Sequence, residues 1–331
     1  MKGLTAIRAQ MSLLGIAEGF FQSGILFALL DLNVFERIGE GEKQLELLAS
    51  ELKSPSDRLA RLLNAGVVLK LLESPDGSIY RLSPTSRAVL LPSAGEDYLG
   101  DWILNLRSFE QAVSRLGDAV AAPLADNPDT AHTREFTLAM HNYASLRGKD
   151  LTHYLDTSGC RTLLDLGCGP GTYAFHLAIA NPDLKLYLLD NPAVLEVARE
   201  VQGRYQISNL VTYVPADAVA DEISGQYDLI LVSNMLHMLG PEGSRKLIQR
   251  LYSGVNPGGS LVIQAQFMRD DRLGERWPLL LDLLMLSMTP AGANHSVAES
   301  REWLQGAGFS DVEFRPMSMF NTNSYLRAWR R

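Results

Sequence analysis

The sequence predicts an α/β protein: a mainly helical N-terminal half, then an open, mostly parallel sheet with helices on both faces. Three observations predict it. From about residue 12 to 150 apolar residues recur at helical spacing. After residue 160 short apolar strands alternate with helical stretches. The first of those strands runs into a glycine-rich turn, "LLDLGCGPGTY", that opens a helix. At 331 residues the chain exceeds the size at which one core usually stops growing. Two domains are therefore expected, spanning 1–105 and 156–331, with a helical connector over 106–155.

In the N-terminal half "GILFALLDLNVFERI" carries the helical pattern. "KQLELLASEL" and "SPSDRLARLLNAGVVLKLLE" predict two helices joined by a turn containing Pro55, and the Pro-Asp-Gly turn of "SPDGSIYRLS" predicts a small hairpin. Helix, turn, helix and hairpin together make a winged-helix unit, which either reads DNA or pairs with a second subunit. Charge favours pairing. Residues 1–100 hold ten Lys and Arg against twelve Asp and Glu, and the would-be recognition helix offers only Arg58 and Arg61, with Asp57 beside them.

In the C-terminal half strands are predicted at "RTLLDLG", "LKLYLLD", "LVTYVPA", "YDLILVSN", "GSLVIQAQF", "DVEFRP" and "SYLRAW". The last two lack an intervening helix, and "MSMFNTN" is short enough for a hairpin connection. One antiparallel strand is therefore expected at or near the sheet edge.

The net charge of −8 argues against nonspecific binding to phosphate backbones or anionic membrane. Two cysteines, Cys160 and Cys168, make neither a disulfide framework nor a zinc site. The apolar stretch from Gly15 to Phe35 is interrupted by Glu18, Gln22 and Asp31, so neither a signal peptide nor a membrane span is expected. The expectation is a cytoplasmic protein without nucleic-acid or membrane partners.

The glycine loop is the most informative motif. After a buried strand ending in Asp165, Gly167, Gly169 and Gly171 permit a sharp turn and close approach of a ligand. A dinucleotide loop would need glycine where Thr172 stands, so an NAD-dependent oxidoreductase fits poorly. Asp190 ends the next strand, where a carboxylate can accept both ribose hydroxyls, and Asp217 follows the third. Acids that merely cap turns would explain each position singly, but the three together less well.

With these motifs in hand, residues 136 onward resemble the class I S-adenosylmethionine-dependent methyltransferases. The whole chain resembles the two-domain small-molecule O-methyltransferases of plant phenolic and bacterial antibiotic-tailoring type. The resemblance rests on "FTLAM", "LLDLGCGPGTY", "LLDNPAV", "LHML", "NPGGSLVI" and "WLQGAGF". It implies a Rossmann-like seven-stranded methyltransferase sheet, an N-terminal dimerisation domain forming a homodimer, S-adenosylmethionine as donor, and no metal. It also implies that Gly167, Gly169 and Gly171 contact the donor's amino acid part, that Asp190 holds the ribose, and that Asp217 and Ala218 lie near the adenine. Asp165, Asn191 and Ser233 complete the implied donor site.

The same resemblance places His237, in "LVSNMLHML", where many members carry a general base. A phenol of pKa ~10 is about 0.1% ionised at pH 7, and imidazole titrates near enough to neutrality to take its proton. There are departures from the family pattern. Met238 and Leu239 replace Asp-Trp. Ala265, flanked by Gln264 and Gln266, stands where a carboxylate often supports the histidine. Asn294, followed by His295, replaces a second. His237 is the candidate base for a hydroxyl acceptor. A thioether needs no deprotonation, an activated carbon leaves His237 or His295 as base, and without proton transfer either histidine lines a pocket.

Met140, His141 and Asn142 fall in the connector, a segment that commonly lines the acceptor pocket in the resembled family. Trp277, Met285 and Met288 lie on an apolar helix that either roofs that pocket or is plain core. By analogy Phe20 and Phe21 reach a neighbouring subunit. The reading is methyl transfer from S-adenosylmethionine to a small-molecule acceptor, with a hydroxyl favoured over sulfur or carbon. Alternatives are a donor-binding winged-helix transcriptional regulator and a related protein that keeps the donor without transferring methyl.

Overall fold

The structure is a computed structural model. It describes residues 2–122, 134–274, 276–317 and 323–331, with backbone alone at 2–7 and 146. The chain divides into two compact units, Met1–Arg107 and Ser108–Arg331.

The first unit holds helices Lys2–Ala17, Gly19–Asp31, Val34–Ile38, Leu45–Leu52 and Ser56–Val68 around a small antiparallel sheet. Its strands are β1 (Glu42–Gln44), β2 (Leu72–Glu73) and β3 (Ile79–Leu82), in the order β1-β3-β2. Leu29, Phe35, Leu48, Leu63, Tyr80 and Leu82 form the core. The expected hairpin is present, its turn held by Asp76, whose carboxylate accepts from Ser78 N at 2.9 Å. One boundary moves: Lys43 and Gln44, expected in a helix, instead pair with Tyr80 and Ile79, and the helix begins at Leu45. The segment Arg8–Asp31 is long and apolar enough to cross a membrane by length and mean hydropathy alone. Its two helices meet at Glu18, and Met11, Ile16, Phe20 and Phe21 are exposed within this chain.

The second unit is built on seven strands: β4 (Thr162–Leu166), β5 (Lys185–Asp190), β6 (Val211–Pro215), β7 (Tyr227–Ser233), β8 (Val255–Ala265), β9 (Ser310–Pro316) and β10 (Ser324–Trp329). These are the seven the sequence predicts. Their order is β6-β5-β4-β7-β8-β10-β9, and only β10 runs antiparallel to its neighbours, one place in from the edge. In the connection "MSMFNTN", residues 318–322 lie outside the described residues, as do 123–133 of the expected connector.

Side chains alternate between the sheet's faces, and both faces are covered, so the central strands are apolar throughout. Leu163, Leu229, Leu231 and Val262 pack under helices Arg134–Tyr154, Thr172–Ala180 and Pro192–Gln202. Leu164, Leu166, Ile230 and Ile263 pack under Gly240–Gly254 and Val297–Gly306. From β4 the chain winds outward through β5 and β6, then returns to place β7 on the other side of β4. That reversal opens a crevice beyond the carboxyl ends of β4 and β7, where open α/β sheets bind ligands.

Candidate active site

The glycine loop leaves β4 and is pinned from the next strand, with Gly167 N and Cys168 N donating to Leu189 O at 2.9 and 3.1 Å. Gly169 (φ 52°) and Gly171 (φ 74°) lie in the left-handed region. A Cβ on Gly171 would meet Phe175 and Leu188 at about 3 Å, whereas one on Gly169 would meet nothing within 4 Å, leaving room for a ligand there. Asp190 braces the loop: its carboxylate accepts from Gly169 N and from Asn191 N, each at 2.8 Å. Asp165 is 2% exposed, and burial, then the charge of Asp190, push its pKa up to about 7.

Beyond β6, Asp217 accepts from Val219 N at 2.7 Å and Ala220 N at 3.0 Å, which shapes the turn expected to face the adenine. Arg250 clamps the same turn, donating to Ala218 O at 2.5 Å and also to Val219 O. No local sequence signal marks this contact, because Arg250 lies 32 residues from Ala218 on helix Gly240–Gly254.

β7 ends at Ser233, and Asn234 (φ 52°) turns the chain into the one-turn helix Leu236–Met238 that carries His237. This turn abuts the glycine loop: a Cβ on Gly167 would lie 2.9 Å from Met235 Sδ. The His237 ring is partly buried, and its Nδ1 is enclosed without a hydrogen-bond partner among the described residues. Burial, and then His295, lower its pKa to about 4. His295 is itself buried and lies edge-on to Trp303, with ring centroids 4.8 Å apart. Its Nε2 stands 3.2 Å from Leu236 O and 3.1 Å from Ser244 Oγ. A carbonyl only accepts, so that nitrogen carries the proton and donates it to the peptide just before His237. Asn294 is equally committed, donating to Gln266 O at 2.7 Å and Pro278 O at 3.1 Å and accepting from His295 N.

The acceptor-pocket residues divide. Met140 is partly buried on helix Arg134–Tyr154, while His141 ties that helix to the glycine loop through Nδ1 and Thr172 Oγ1, 2.9 Å apart. Asn142 is buried. Met285 packs with Ala112 and Leu284, and Met288 and Phe109 lie against them, so these two methionines fill a core. Trp277 is partly buried at the start of the same helix, Arg276–Met288, which packs against the His237 turn. Phe20 and Phe21 stack with centroids 4.2 Å apart in the first unit. Tyr143, Tyr173, Gln264, Gln266 and Asn323 form a buried polar cluster whose one sequence signal is the pair of glutamines inside "LVIQAQF". Among the described residues no group of three or more His, Cys, Asp or Glu could hold a metal ion.

The family model described as "O-methyltransferase domain" matches residues 97–310. The chain belongs to this O-methyltransferase family. A second model, "O-methyltransferase dimerisation domain", matches residues 14–92. Within the family, the 3-hydroxy-5-methyl-1-naphthoate 3-O-methyltransferase of Streptomyces sahachiroi is 27% identical, with 90% of this chain and 88% of that protein covered. The N,N-dimethyltransferase OxyT of Streptomyces rimosus is 26% identical, with 92% of each chain covered. In fold, human N-acetylserotonin methyltransferase in complex with SAM superposes with a TM-score of 0.87 over 97% of both chains, at 23% identity. Such membership makes the chain a methyltransferase.

Proposed function

We propose that this methyltransferase transfers the methyl group of S-adenosylmethionine to a hydroxyl oxygen of a small organic acceptor, with His237 taking the proton. The observation that carries the reading is the contact of the glycine loop with Met235, two residues before His237, which puts donor loop and candidate base at one crevice. Gly167, Gly169 and Gly171 hold the donor's amino acid part, Asp190 its ribose, and Asp217 with Ala218 its adenine, while Asp165, Asn191 and Ser233 line the site. When bound, the donor supplies an electrophilic methyl on a sulfonium. The O–CH3 bond forms as the S–CH3 bond breaks, and the hydroxyl proton passes to His237.

An imidazole at about 4 is a weak base, and its orphaned Nδ1 leaves the imidazolium unsupported. Acidic hydroxyls on aromatic or conjugated acceptors therefore suit it better than alcohols. The same orphan keeps a sulfur or carbon acceptor, methylated mainly by proximity and alignment, as the second reading. The dimerisation domain pairs two copies through the exposed apolar helices of the first unit.

Methyl-labelled donor offered with phenols, carboxylic acids, enolisable carbons, amines and thioethers tests the assignment. Label is expected on a hydroxyl, and His237→Ala is expected to lower that turnover about a hundredfold or more. Label on sulfur, carbon or nitrogen alone overturns the acceptor assignment, and near-normal turnover by the variant removes His237 from the chemistry.

A further inference from the structure

Gln264 and Gln266 occupy alternate positions at the carboxyl end of β8, on the face where Val262 packs under helix Arg134–Tyr154. Both are buried, at 0% and 4% exposure. A chain of polar groups leads away from them. Gln266 Nε2 donates to the Tyr143 hydroxyl, which donates to Asn323 Oδ1 at 3.2 Å, and Asn323 Nδ2 donates to the Tyr173 hydroxyl at 3.4 Å. Burial raises the Tyr173 pKa and a weak polar contact from the Gln264 side chain opposes that rise, a contact short of hydrogen-bond geometry. Three atoms remain over: Gln264 Nε2, Gln264 Oε1 and Gln266 Oε1 make no hydrogen bond among the described residues. Folded interiors seldom leave a donor and two acceptors unpaired together, and where they do, a ligand or an ordered water completes them.

Position separates those two occupants. Under the donor placement proposed above, on which this step rests, the methyl donor lies across the ends of β4, β5 and β6. β8 stands two strands from the glycine loop in the other direction, roughly 10 Å away, on the acceptor's side. The same segment is bound to the His237 turn. Asn234 N donates to Gln264 O at 2.8 Å, and Asn294, next to His295, donates to Gln266 O. The orphaned atoms are uncharged amide atoms, one donor beside two acceptors, which match an uncharged group offering an acceptor beside N–H donors.

We infer that Gln264 and Gln266 form a recognition subsite for the acceptor, taking a carboxamide or lactam carried on the molecule to be methylated. A site built to pair such a group discriminates strongly against an analogue lacking it, because the analogue leaves the buried amides unpaired. Methionine at either position keeps the length of glutamine and removes the polar atoms. Gln264→Met relieves an unpaired amide in the ligand-free enzyme, so it is expected to melt higher than wild type while losing selectivity.

The test uses the full chain with hydroxybenzamides and the matching hydroxyacetophenones, which keep the carbonyl but lack N–H. Wild type is expected to favour the amides about tenfold or more in kcat/KM. Gln264→Met and Gln266→Met are expected to bring that ratio close to one, with S-adenosylhomocysteine affinity by calorimetry within about twofold of wild type. Equal use of both series by wild type, or turnover of neither, overturns the inference. So does loss of S-adenosylhomocysteine affinity in the variants, which would assign the amides to the donor. An ordered water on both Gln264 atoms, with selectivity unchanged in the variants, overturns it as well. Label on any other hydroxyl would leave the methyl-transfer reading intact through each of these failures, whereas no label on oxygen at all would remove that reading itself.

Discussion

Asp165 is a carboxyl held where its charge is costly. It is enclosed in β4 and faces the field of Asp190, so its pKa stands at about 7 against 3.8 for an ordinary aspartate. A raised carboxyl pKa means that the folded chain binds more protons than the unfolded one between those two values. The penalty is absent below pH 3.8, grows as pH rises, and is complete above about 7, reaching on the order of 4 kcal/mol. Asp165→Asn removes the ionisation and keeps the shape. The ligand-free variant is expected to melt above wild type at pH 8, with a smaller advantage at pH 5, as scanning calorimetry at the two pH values would show. A gain that is equal at both, or greater at pH 5, would mean that Asp165 is compensated by contacts its burial does not reveal.

Arg250 acts at the scale of elements, because it joins a helix on one face of the sheet to the turn after β6. Guanidinium bonds to the carbonyls of Ala218 and Val219 fix that turn from outside, while Asp217 fixes it from within. Arg250→Ala is expected to raise the KM for S-adenosylmethionine several-fold and leave kcat at saturating donor within about twofold. A fall in kcat with KM unchanged would instead place the turn in the chemical step. The sequence announced the strands and the glycine loop because their signals are local: apolar runs, glycines and acids at strand ends. Contacts like that of Arg250 are not local, and neither is the choice of helix face. Sequence favours Met140, His141 and Asn142 on one helix, yet Tyr143, the next residue, is the one bonded to Gln266. The start of the helix at Leu45 has no local signal for a related reason, since a partner strand 35 to 37 residues away claims Gln44 and Lys43. The place of His237 after a strand is a local signal. The donor from His295 to its peptide appears only when two segments far apart in sequence are folded together.

For the whole molecule, the proposed pairing through the apolar helices of the first unit fixes the expected state of assembly. Met11, Ile16, Phe20 and Phe21 are between 57% and 77% exposed in the isolated chain, far more apolar surface than one helix pair of a soluble monomer leaves open. Two occupants fit: a bilayer, since Arg8–Asp31 is long enough to cross one, and a second copy, since the dimerisation model begins at residue 14. Glu18 and Asp31 at the ends of the second helix, with Arg8 before them, set charges along a stretch that a bilayer would have to dehydrate, and a protein partner leaves such groups at a wet rim. Pairing therefore explains both the apolar face and its charged ends. Sedimentation of the full chain is expected to give twice the 36.5 kDa subunit mass at micromolar concentration, and Phe20→Asp with Phe21→Asp is expected to shift it to the single-chain mass. A wild-type chain that sediments as a monomer, or one that the double variant leaves paired, would place the dimer contact elsewhere. Recovery of the wild type in a membrane fraction that the double variant leaves would hand this surface to lipid instead.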